Sequence, residues 1–272
     1  VGRTLQLLDG GATVPFIARY RKEATEGLDD AAIQRVADTA QVVDAREARR
    51  ASIVETIRGQ GALTPQLEEQ LRRAATLAEL EDLYLPFKPR RRTRAHAARE
   101  RGLEPLAQKL LEQPAQAAPR EQLGRPFVGG EVPDLEAAFT GARDIVAEIV
   151  AERADVRAEV RRVFAASGEL TIEVARGKSK APELLRFQDH VGHREKAARA
   201  PSHRLLAAER GEAEGVLKVA IEVPREQVAV DLRRRVLSGR AAQWIARELA
   251  LALDEALDRL LLPSLESELR RE

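Results

Sequence analysis

Between Asp29 and Arg58 the apolar positions Ile33, Val36, Ala40, Val43, Ala51, Val54 and Ile57 recur at spacings close to three and four, with Arg and Glu between them. That period predicts an amphipathic helix of about 45 Å, at roughly 1.5 Å per residue. Gly59 and Gly61 end it, because Gly takes the left-handed conformation beyond a helix C-terminus at little cost. Thr64-Pro65 opens a further helix with Pro at its favoured first position. Thr76 and Glu79 stand at capping-box spacing ahead of Leu80, Leu83 and Leu85, and Pro86 closes that turn. Upstream, Gly10 to Leu28 is a short mixed segment in which Pro15 and glycines interrupt any long element.

Two short helices follow, about Thr93–Arg101 and Glu104–Glu112, broken at Gly102, the outline of a helix-turn-helix or of an ordinary helical hairpin. From Gln113 to Pro133, four prolines and three glycines replace any sustained period, which predicts a linker or extended loop. Asp134 then caps a helix reaching about Arg153, and Asp155 starts another that ends at Ser167-Gly168. The period changes to two at Leu170, Ile172 and Val174, and again at Leu217, Val219, Ile221 and Val223, so each run predicts a strand. Ser202 is placed as the cap of a short helix before Gly211, and Pro224 opens another. A long helix after Gly239 carries Trp244, Leu249, Leu253, Leu257 and Leu260 and is interrupted at Pro263. The expected fold is mainly α: a multi-helical array with a helix-turn-helix-like unit and a small β-sheet in the C-terminal half. Residues 1–113 form an N-terminal helical region, 114–133 a linker or extended loop, and 134–272 a central helical region with the sheet.

Composition narrows the function. The 272 residues are 44% hydrophobic and 33% charged, enough for real cores beneath a charged exterior. No run approaches the roughly 18 apolar residues of a membrane span. Cys is absent, which excludes disulfides, thiolate metal sites and thiol nucleophiles. Aromatics make up only 3%, and no cluster of aromatic faces that could stack bases is visible. The formal net charge is +1, so nucleic-acid binding would have to come from local patches. The chain starts at Val1, lacks Met and stops within a helical pattern, which reads as a piece of a longer protein.

The strongest local feature is the run Lys88, Arg90, Arg91, Arg92 and Arg94. A basic turn feeding a helix N-terminus would combine side-chain charge with free N–H groups, the ingredients of a phosphate grip. Five phosphate contacts would give a salt slope of about −4.5 on duplex DNA. The same run could instead dock on an acidic neighbouring domain. Arg19, Arg21 and Lys22 form a second candidate cluster, and Arg176, Lys178 and Lys180 a weaker third. Asp189, His190 and His193 could ligate a metal only if they shared a face, which Gly192 disfavours, so no metal or cofactor is expected. There is no G-x-S-x-G elbow, P-loop or G-x-G-x-x-G, and the expectation is a non-enzymatic chain.

Several runs are specific enough to carry a resemblance. GGATVPFIARYRKEATEGLDD (Gly10 to Asp30) and LEDLYLPFKPRRRTRAHAARERGLEPLA (Leu80 to Ala107) closely resemble the N-terminal region of the Tex family of bacterial transcription accessory proteins. GARDIVAE (Gly141 to Glu148), PSHR (Pro201 to Arg204), EGVLKV (Glu214 to Val219) and LLLPSLESELR (Leu260 to Arg270) follow in the order of that family's central region. The sequence departs from the family pattern between Ala175 and Ala200, and at Thr25-Glu26-Gly27, where two Gly are commoner. The resemblance implies a cytoplasmic, multidomain protein in which this region precedes a ribonuclease-H-like domain, helix-hairpin-helix modules and an OB-fold RNA-binding domain. It implies RNA or DNA as partner, with weak binding by this region alone, together with the downstream domains and the transcription machinery. The competing expectation is a helical scaffold that positions those domains and contacts transcription proteins.

Overall fold

In the computed structural model, which describes residues 1–89 and 92–270, Val1–Phe87 is one of two compact units. It carries α1 (Gly2–Asp9), α2 (Val14–Tyr20), α3 (Asp30–Gly59), α4 (Pro65–Arg73) and α5 (Leu77–Tyr84). Helix α3 starts where Asp29 accepts the Ala32 N–H at 2.7 Å. Thr64 and Thr76 cap α4 and α5 in the same way, and Glu79 reaches back to the Ala75 N–H at 2.6 Å.

Burial on α3 is not continuous. Its first turns bury Ile33 against Ile17 and Ala18, and its last turns bury Ile53 and Ile57 against Leu71, Ala74, Leu80 and Tyr84. Between these two small cores Val42 and Val43 face solvent. The helix is thus a strut with a core at each end, rather than amphipathic along its whole length as the apolar period predicts. Arginines of its second half secure the α4–α5 corner. Arg50 donates to the Leu71 and Ala74 carbonyls at 2.9 and 2.7 Å, satisfying acceptors left open at the C-terminus of α4.

The unit Lys88–Glu272 begins with α6 (Arg94–Glu100), α7 (Glu104–Leu111), α8 (Arg120–Gly124), α9 (Leu135–Ala151) and α10 (Ala154–Ser167). The sheet and later helices are β1 (Glu169–Val174), β2 (Arg194–Lys196), α11 (Ser202–Ala213), β3 (Leu217–Glu222), α12 (Arg225–Val236), α13 (Gln243–Glu255) and α14 (Leu262–Leu269). Helix α9 is the axis of this unit: α6, α7 and α13 all pack on it, and Ala138, Phe139, Ala142, Ile145, Val146 and Val150 are buried. Gly141 allows the α6–α7 corner to approach, since a Cβ there would lie 2.3 Å from Leu103 Cδ1. A second core joins Leu170, Ile172, Leu217 and Val219 of the sheet to Leu184, Phe187 and Ala208.

The mainly helical class and the small C-terminal sheet are as expected. The sheet is antiparallel, ordered β2-β1-β3, with Ile172 opposite Val219 and Leu170 opposite Glu195. Strand β2, with sequence REK, has no apolar alternation and was not foreseen. The division between compact units falls at Phe87–Lys88. The Pro- and Gly-rich stretch contains α8 and a 3-10 turn at Arg125–Phe127. It is tied to later helices: Pro114 accepts the Ala242 N–H, and Gln113 exchanges bonds with Val236 and Ser238. Ser202 is the first residue of α11 and makes no capping bond. The interruption in the last long helix is a π-helical turn, Ala256–Leu261, placed just before Pro263.

Candidate nucleic-acid interface

Most arginines here are already committed to carboxylates. Arg225 meets Asp258 at 2.7 Å, Arg233 meets Asp254 at 2.7 Å and Arg259 meets Asp144 at 3.0 Å, and Arg270 is held by Glu212. Arg120 and Arg143 share Glu136 and the buried Glu248. A guanidinium neutralised within the chain has little to offer a phosphate. The informative cations are those left over.

Arg19, Arg21 and Lys22 are such residues. All three are exposed, and none makes an ion pair among the described residues. Pro15 starts α2, whose inner face buries Ile17 and Ala18, so Phe16, Arg19 and Tyr20 remain outside. Arg21 is the C-cap, with its N–H on the Ile17 carbonyl. The turn beyond is clamped by Thr25, 4% exposed, whose hydroxyl donates to the Arg21 and Lys22 carbonyls at 3.3 Å each. Glu26 at φ 57° and Gly27 at φ 85° complete it with two successive left-handed residues, and the Gly27 N–H returns to the Lys22 carbonyl. The preference for Gly noted at this turn thus has a backbone cause.

The connector divides differently. Arg90 and Arg91 lie outside the described residues. Lys88 is half-buried, whereas Arg92 and Arg94 are exposed and make no ion pair among the described residues. Helix α6 does not supply the free N-terminus of a phosphate grip. Thr93 accepts the His96 N–H at 3.0 Å and donates to Glu148 at 2.8 Å, so a carboxylate stands beside that end. Burial works against the Arg99 charge, but its bonds to Glu148 and Glu104 outweigh this and hold it protonated.

Helices α6 and α7 do form a helical pair, turned at Gly102 (φ 76°), with the Gly102 N–H on Arg99 and the Leu103 N–H on Ala98. Yet the outward side of α7 shows Pro105, Gln108, Lys109 and Glu112, a poor match for a polyanion. Arg176, Lys178 and Lys180 are exposed on the loop after β1. Among the described residues no three His, Asp or Glu side chains gather at metal-binding spacing. No helix among them is long and apolar enough to cross a membrane.

Two aromatic rings stand together on the exposed side of α2. Phe16 and Tyr20, one helical turn apart, bring their rings to 5.3 Å between centroids with 41° between planes. They are 43% and 71% exposed. The aromatic scarcity of the chain had pointed away from such a pair, although the i, i+4 spacing after a helix-starting Pro was a usable signal.

Comparison with known proteins covers both units. Residues 1–58 match the family described as Tex-like protein N-terminal domain, and residues 115–267 match Tex central region-like. Protein tex of Bordetella pertussis is 45% identical over 223 residues, 81% of this chain and 28% of that protein. Transcriptional accessory protein Tex of Neisseria gonorrhoeae is 43% identical over 223 residues, 82% of this chain and 29% of that protein. Protein YhgF of Escherichia coli is 39% identical over 256 residues, 90% of this chain and 33% of that protein. The chain therefore spans about a third or less of the length of these relatives.

Proposed function

Because this chain belongs to the Tex family, as its N-terminal and central region, we propose that it is the non-catalytic, nucleic-acid-associated part of a transcription accessory protein. It works in the cytoplasm beside the transcription machinery and the protein's downstream domains. The observation that carries this reading is the distribution of unpaired cations. Arg19, Arg21 and Lys22 in one unit, and Arg92 and Arg94 in the other, are exposed and make no ion pair among the described residues, while other arginines such as Arg99 and Arg225 are consumed by carboxylates. The relative from Neisseria gonorrhoeae is named a transcriptional accessory protein, which supports this reading.

The test is fluorescence anisotropy of a labelled oligonucleotide over a salt series. Replacing those five cations with Gln should reduce the steepness of log K against log salt by about 3.5 on a single strand, at roughly 0.7 per contact. Replacing the paired Arg225 and Arg162 should leave the slope alone. An unchanged slope in the five-residue variant removes the proposal.

A scaffold role is favoured by one separate observation. A groove of about 570 Å³ on α1 and α3, lined by Leu5, Leu28, Val36, Ala40 and Val43, leaves apolar surface open beside the strut. Retention of the downstream domains on the immobilised chain, and its loss with Val43→Asp, tests that reading.

A further inference from the structure

The exposed face of α2 and the turn after it hold two aromatic rings and three cations that make no ion pair among the described residues, all within seven residues, Phe16 to Lys22. Both rings are large apolar groups left in water although Ile17 and Ala18 of the same helix are buried. Tyr20 makes no hydrogen bond within the described residues, so its ring is free to meet a ligand with its face. An unclaimed aromatic pair alone would fit many partners. The charge beside it selects among them: Arg19, Arg21 and Lys22 call for an anion, with only Glu23 and Glu26 following on the turn. Thr25 fixes the carbonyls of Arg21 and Lys22, so the cations are set on a defined turn.

We infer that α2 and the turn after it form a stacking site for single-stranded nucleic acid, with bases on Tyr20 and Phe16 and the phosphodiester backbone on Arg19, Arg21 and Lys22. The inference rests on the proposed nucleic-acid role and adds the strand type and the contacting residues. A single strand is the form that fits. Its bases can leave one another and lie on an aromatic face, whereas a duplex keeps its faces covered. The rings are tilted by 41° rather than parallel, so they suit two successive splayed bases more than one base between them. Each ring is sequence-tolerant, because every base presents a π-face.

The experiment uses the full 272-residue chain and two labelled 12-nucleotide strands of equal phosphate number, oligo-dT and an abasic analogue. The normal strand should bind more tightly than the abasic one. Tyr20→Ala should weaken the normal strand by about 5- to 100-fold while moving the abasic strand by less than about 2-fold. Tyr20→Phe should restore binding, since the ring and not the hydroxyl is used. Tyr20→Trp should be quenched by the normal strand and not by the abasic one. Equal binding of the two strands by the native chain, or a Tyr20→Ala variant indistinguishable from it, overturns the stacking site while leaving the broader role standing. Failure of the native chain to bind either strand overturns both. Displacement of the strand by poly-glutamate with the same Tyr20 dependence would assign the patch to an acidic protein partner and overturn it as well.

Discussion

Glu248 is 5% exposed on α13 and accepts from Arg120 at 2.7 Å and from Arg143 at 2.6 Å. Glu136 closes the square, taking a bond from each arginine at 2.7 Å, and the Arg120 guanidinium lies 4.1 Å from the centre of the Phe139 ring. Glu248→Ala leaves the Arg143 charge, whose side chain is 10% exposed, dependent on a single carboxylate that is itself 63% exposed. Breaking a buried pair on one side costs about 3–5 kcal/mol; Arg143 keeps Glu136 and Thr140, so a loss near 3 kcal/mol is expected. Arg143→Leu strands less, because Glu248 retains Arg120, and should cost about 2 kcal/mol. The double variant Glu248→Ala/Arg143→Leu removes both charges together and should be less destabilised than the sum by about 2 kcal/mol. Trp244 supplies the assay, since its ring meets Phe139 edge-on at 5.9 Å and reports denaturant unfolding of this unit. Additive losses within about 0.5 kcal/mol, or a Glu248→Ala cost below about 1 kcal/mol, would refute the network as a coupled buried element.

Gly141→Ala places a methyl against Leu103 and should lower stability by about 1–3 kcal/mol in the same unfolding experiment, despite the better helix propensity of Ala. Glu26→Gly relieves a left-handed residue costing about 1–2 kcal/mol, offset by roughly 0.5–1 kcal/mol of chain entropy, so the thermal midpoint should hold or rise. Gly27→Ala at φ 85° should lower that midpoint, and the opposite ranking would dismiss the backbone explanation. The hydrogen bond from Arg143 holds the Glu136 carboxyl below the usual carboxylate range. The folded state therefore binds fewer protons at this site. Its stabilisation is complete above the unfolded pKa, about 4.3, and is lost as acid titrates the folded carboxyl. Glu136→Gln should consequently lose less stability than the native chain between about pH 5 and pH 3, measured by urea midpoints.

Much of the helical framework was legible because local chemistry and tertiary structure agree. Asp29, Thr64, Thr76 and Asp134 cap the helices that their positions announce. The misreadings fall where distant contacts decide. Apolar spacing cannot tell that the middle of α3 meets solvent, because Val43 and Ala51 lack only a neighbour, not a period. Arg120–Gly124 is helical within a stretch of turn-forming residues, where Gly124 seats against Phe139 and Arg120 is held by Glu136 and Glu248. Strand β2 follows from pairing with β1, which three polar residues do not advertise.

The candidate site was only half legible for a related reason. A run of cations in a sequence counts charges but not the carboxylates that fold onto them. Arg99, five residues beyond the basic run, is spent on Glu148 and Glu104, whereas Arg19, Arg21 and Lys22 are ordinary by number and make no ion pair among the described residues. In a chain of 45 basic and 44 acidic residues, net charge says little about where a polyanion could bind. Local imbalance after pairing says more, and α2 adds an independent sign in two exposed rings that burial elsewhere would have stabilised by about 1.5–3 kcal/mol each. Exposed cations and exposed rings coincide on one short helix and the turn after it, and that coincidence, not the net charge, is what the proposed single-strand site is argued from.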